Sequence, residues 1–165
     1  MRFTFVLLLF LLTLTAALPV AKDKKVVPEN PKKEPESDDK HKVIKGIKNN
    51  MKHGGKEIGA TIKALNEGKK GNLKGLTKQE HKLNMALDAA IEDRTRNQEL
   101  VGNKLPTLAK GLNKVKGAQK IATGTVGSFK GDLNDMDKLK KLKKTFEGGK
   151  TTNGKNLKEA IDNFH

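Results

Sequence analysis

The side chains in this sequence with the most capacity for chemistry are its lysines. Lys and Arg together number 34 against 19 Asp and Glu, for a net charge of +15. Nearly all of the excess is Lys; past Arg2, only Arg94 and Arg96 are arginines. An ammonium is a compact, hydrated point charge, whereas a guanidinium is a planar fork suited to bidentate contact with phosphates or bases. A Lys-dominated chain therefore favours diffuse attraction to anions over reading of a nucleic-acid sequence. Two groups stand out: Lys45, Lys48, Lys52 and Lys56, and the denser run Lys138, Lys140, Lys141, Lys143 and Lys144. These nine are the expected contacts with an anionic membrane, a cell-envelope surface or a polyanion.

Other chemistries find no support. His41, His53, His81 and His165 are scattered, with no second His or Cys at ligand spacing, so no transition-metal site is expected. "GDLNDMD" gathers Asp132, Asp135 and Asp137, but an EF-hand needs Gly where Asp137 stands and Glu where Lys143 stands. These acids read instead as a solvated helix face paired with nearby lysines. Beyond residue 17 only Ser37, within the segment 18–42, and Ser128 offer hydroxyl nucleophiles of the serine type, and neither lies in a nucleophile-elbow context. No glycine loop precedes Lys-Ser or Lys-Thr in phosphate-binding order. The expectation is a non-enzyme with no catalytic residues, cofactor or metal.

The segment "MRFTFVLLLFLLTLTAALPVAKDKK" has a basic start, a short apolar run and small residues, the layout of a secretory signal peptide. Cleavage is expected after Ala17, giving a secreted, extracellular product with a net charge of +14 once Arg2 is removed. Residues 18–42 mix Pro28, Pro31 and Pro35 with both signs of charge. They read as a disordered leader or linker, because they cannot bury enough apolar area to offset chain entropy. Cys, Trp and Tyr are absent, so neither disulfides nor a rich aromatic core can hold the remainder together.

Residues 43–165 must therefore position the lysines by aliphatic packing. In 43–66, Ile44, Met51, Ile58 and Leu65 fall seven apart, with Ile47 and Ile62 on the same face, which predicts an amphipathic helix. Gly54-Gly55 predict a kink or a break in it. Residues 67–76 read as a connection, and Thr77 with Glu80 as a capping box opening a second helix that ends near Val101, Gly102 and Pro106. From Leu105 the positions Leu108, Leu112, Val115, Gln119, Ala122, Val126, Phe129, Leu133 and Met136, apolar except for Gln119, keep a three-and-four alternation that predicts one long helix, with Leu139, Leu142 and Phe146 extending its face. Gly111, Gly117, Gly124, Gly127 and Gly131 weaken it off the seam. After a break containing Asn153-Gly154, Leu157, Ala160, Ile161 and Phe164 predict a last short helix.

The stretches "HKVIKGIKNNMKHGGKEIGATIKALN" and "LAKGLNKVKGAQKIATGTVGSFKG" resemble cationic amphipathic antimicrobial peptides of the insect moricin or cecropin type in their Lys, Gly and aliphatic texture. That resemblance implies helices that form on an anionic surface, as an immune or antimicrobial effector does. The alternative is a secreted helical-bundle binding protein, a carrier or a module docking a protein partner, whose stripes are core and whose lysines coat the exterior. The expected fold is all-α: about four amphipathic helices, in a loosely packed bundle or an extended array, after the leader.

Overall fold

The structure is a computed structural model that describes residues 38–165. The proposed signal peptide and almost all of the proposed leader lie outside these residues. Four α-helices follow one another: α1 (Asp38–Lys69), α2 (Leu73–Val101), α3 (Pro106–Val126) and α4 (Met136–Asn163). A single 3-10 turn, Leu133–Asp135, precedes α4, and there is no strand among the described residues. Each connection contains one glycine with positive φ, Gly71, Gly102 or Gly131, where a side chain would be strained. Short connections make successive helices antiparallel, and packing runs round the ring α1–α2–α3–α4 and back to α1. The fold is an all-α four-helix bundle.

Burial follows an alternation of three and four residues along the helices, with Ala60 and Ala86 buried beside it and Gly149 half-buried at its place in α4, the geometry of interlocking seams. In α1 the seam is Val43, Ile47, Asn50, Gly54, Glu57, Thr61, Ala64 and Gly68. This lies one position before the Ile44, Met51, Ile58 and Leu65 series, which is only half-buried and flanks it. Ile62, assigned to that same face, is exposed. In α2 the seam runs Leu76, Glu80, Leu83, Leu87, Ala90, Arg94, Asn97 and Val101. Apolar residues gather at the two ends of the bundle. Val43, Ile47, Val101, Leu108, Leu112, Ala160 and Phe164 fill one end. Leu76, Leu83, Leu87, Ala122, Leu139, Leu142 and Phe146 fill the other.

Several boundaries differ from those the sequence predicts. α1 begins at Asp38, five residues before Val43, and runs unbroken through Gly54-Gly55. Gly54 is buried in the seam, so packing compensates for its poor propensity. The N-cap of α2 is Asn72, whose side chain accepts from Gly75 N at 3.0 Å. Thr77 lies inside the helix, with its hydroxyl donating to Leu73 O at 3.1 Å. The long helix from Leu105 is divided at Gly127–Asp132, and Leu133 is 52 % exposed. Conversely, the break around Asn153-Gly154 does not exist: α4 continues through it, with Asn153 and Asn156 buried. Thr151 and Thr152 meanwhile return their hydroxyls to Glu147 O and Gly148 O.

Asp135 is the residue that fixes the α3–α4 connection. Fully buried, it accepts backbone N–H bonds from Lys130 at 2.7 Å and Gly131 at 2.9 Å, and it meets Lys138 Nζ at 2.9 Å. Burial presses its carboxyl upward, but Lys138 and the surrounding backbone N–H groups outweigh that and hold it below the ordinary carboxylate value. Asp132 completes a capping box with it. Asp132 and Asp135 are thus a structural cap, where the sequence suggests a solvated face, while Asp137 is exposed and pairs with Lys140 as that reading expects.

Candidate functional site

Between the two apolar ends lies a level of polar side chains, one from each helix: Asn50, Arg94, Gln119 and Asn153. Asn153 Nδ2 donates to Asn50 Oδ1 at 2.5 Å, Asn50 Nδ2 donates to the Ala90 carbonyl, and Arg94 Nε donates to Gln119 Oε1 at 2.6 Å. Adjacent to this level the seam narrows to Gly54 on α1 and Gly149 on α4, which leaves a cavity of about 20 Å³. Glu57 lines it, 5 % exposed, and its Oε1 has no hydrogen-bond partner. Burial pushes the Glu57 carboxyl up to about 7, so near neutrality the protonated and ionised forms are both populated. Such a space admits one water-sized occupant.

The neighbouring contacts explain two of the glycines. Asn97 packs flat against Gly46, and Asn156 against Gly111; a Cβ at either glycine would collide with the amide oxygen. These asparagines sit at seam positions where apolar pattern reading finds nothing. Gln119 already stands out as the one polar member of an apolar series; for Asn50, Glu57, Arg94 and Asn153 the only sequence signal is positional, since they fall on the three-and-four grid once its true phase is known.

The lysines lie on the outside. Lys45, Lys48, Lys52 and Lys56 are exposed on α1 and close no ion pair among the described residues. Lys45, Lys52, Lys56 and Lys63 recur at seven, four and seven residues, which places them in one row along the helix. The second predicted group is less uniform. Lys138 is held by Asp135 and by the Ser128 carbonyl, Lys140 meets Asp137 at 2.8 Å, and Lys143 meets Glu147 at 2.7 Å. Lys141 and Lys144 are exposed, with no ion pair among the described residues.

The nine residues do not converge on one patch. Lys56 lines a groove between α1 and α2 together with Lys63 and Lys82, over a floor of Gly59, Ala60 and Ala86. Lys138 and Lys141 line a different groove, between α3 and α4, together with Lys120. Lys82 and Lys120 are absent from the predicted set, because their membership depends on which helices become neighbours. Among the described residues no group of three or more His, Asp and Glu is arranged to hold a metal ion, and no helix is long and apolar enough to cross a membrane.

No family model, curated protein or solved structure matches the chain.

Proposed function

We propose that the chain is a secreted, non-enzymatic helical-bundle protein that binds anionic surfaces in its folded state, with the lysine row of α1 as the principal contact. The observation that carries this reading is the division of labour on α1. Its buried seam is consumed by α2 and α4, while Lys45, Lys52, Lys56 and Lys63 stand in line with no ion-paired acid among the described residues. An ammonium near an anionic leaflet contributes about 1 kcal/mol, so four in a row can hold a surface without any helix unfolding to meet it. An immune or antimicrobial role belongs to the same reading, acting through the intact bundle and not through separated peptides. A carrier role fits less well, because the buried cavity of about 20 Å³ is too small for an organic ligand and the larger spaces between helices are open surface grooves lined with lysines.

The test is co-sedimentation with vesicles containing phosphatidylglycerol or phosphatidylcholine alone, followed by circular dichroism of the bound protein. The wild type is expected to bind only the anionic vesicles, with helicity equal to that in buffer and with affinity that falls as salt rises. The variant K45Q/K52Q/K56Q/K63Q is expected to bind at least tenfold more weakly. Equal binding by that variant, or a large gain of helix on the vesicles, would overturn the proposal.

A further inference from the structure

We propose that the groove between α3 and α4 is a second site for the phosphates of an anionic lipid surface, so that one molecule bridges two such surfaces. This rests on the surface-binding reading above and adds a second, opposed face to it. Helix packing follows the ring α1–α2–α3–α4, which sets the α1/α2 edge and the α3/α4 edge on opposite sides of the bundle.

The two edges share a chemistry. The α1/α2 groove, about 540 Å³, has Lys56 and Lys63 on one wall and Lys82 on the other, with no carboxylate in its lining. The α3/α4 groove, about 590 Å³, has Lys120 on one wall and Lys141 on the other, beside Lys138, whose ammonium is already held by Asp135; among the described residues its lining contains no carboxylate. Each also carries a large apolar side chain at its lysines: Met85 is 60 % exposed in the first and Ile121 65 % exposed in the second. Ammonium groups around a projecting apolar side chain match a lipid surface, where phosphates lie above acyl chains. By contrast, the groove formed by α2 and the α3–α4 connection contains Glu80. Two helix diameters separate the opposed faces by about 20 Å. That exceeds the Debye length of about 8 Å at physiological salt, so charge captured on one face does not cancel the attraction of the other.

Clustering of phosphatidylglycerol vesicles, read by turbidity and light scattering alongside co-sedimentation, tests the inference. The wild type is expected to cluster vesicles at low protein-to-lipid ratio and to disperse them again when each vesicle is saturated. K56Q/K63Q/K82Q and K120Q/K141Q should each still bind, about two- to tenfold more weakly, and should each fail to cluster. Either variant clustering as the wild type does, or a wild type that binds without clustering, overturns the bridging proposal while leaving surface binding intact. A wild type that does not bind anionic vesicles at all overturns both.

Discussion

Replacing Glu57 with Gln keeps the size and amide-compatible shape of the side chain and removes its ability to ionise. Glu57 is 5 % exposed, one of its oxygens has no partner, and burial raises its carboxyl from 4.5 to about 7. In the unfolded chain the group titrates at its ordinary value, so between pH 4.5 and about 7 the folded state retains a proton that the unfolded state releases. Unfolding free energy therefore declines as pH rises through that window and levels off above it. At about 1.4 kcal/mol per unit, the accumulated loss approaches about 3 kcal/mol. Gln escapes it. Urea denaturation followed at 222 nm should find E57Q more stable than wild type by roughly 2–3 kcal/mol at pH 8. At pH 4.5 the two should agree within about 1 kcal/mol. Self-repulsion among the lysines changes equally in both proteins, so the difference isolates Glu57. Parallel pH profiles for the two proteins would refute the account of the buried carboxyl.

Gly46→Ala and Gly111→Ala should each cost about 1–3 kcal/mol in urea denaturation, because the new methyl displaces Asn97 or Asn156. Gly55→Ala, with nothing within 4 Å of its Cβ, should instead stabilise the helix by up to about 1 kcal/mol; equal effects at all three sites would remove the close-packing argument. Asp135→Asn should weaken the α3–α4 connection, seen as faster amide hydrogen exchange at Lys130, Gly131 and Asp132. The lowered value of Asp135 means that its contribution is present at neutral pH and is lost as pH falls through the carboxylate range, so Asn should flatten the acid limb of the stability profile.

Helical class is legible in the sequence because apolar side chains recur at helical spacing, and that recurrence survives whichever residues fill the gaps. The count of four agrees only because the missed α3–α4 division is offset by a break at Asn153-Gly154 that α4 does not have. The phase of α1 is not legible, since six of its eight seam positions are Asn50, Gly54, Glu57, Thr61, Ala64 and Gly68, polar or small residues that a hydrophobic reading discards. The eye settles on Ile44, Met51, Ile58 and Leu65 one step away. The α3–α4 division is hidden for a related reason: both helices must turn apolar faces to one core, so their periodicity continues smoothly across the turn between them. Gly127, Gly131 and the Asp132–Asp135 box are the actual punctuation. In the surface site, Lys45, Lys52 and Lys56 follow from spacing within one helix. Lys82 and Lys120 do not, because they depend on contact between helices.

The ends of the described chain meet. Asp39 bonds Lys104 at 2.6 Å, and the same ammonium lies 5.9 Å from the centre of the Phe164 ring. Asp38 and His165 therefore open at one pole, while Gly71 and Gly131 turn at the other. A short peptide joining them, with new termini cut between Gly71 and Asn72, would yield a permuted protein whose α1/α2 groove loses its covalent closure. Comparing it with the parent would separate what that groove owes to chain connectivity from what it owes to side-chain interlock.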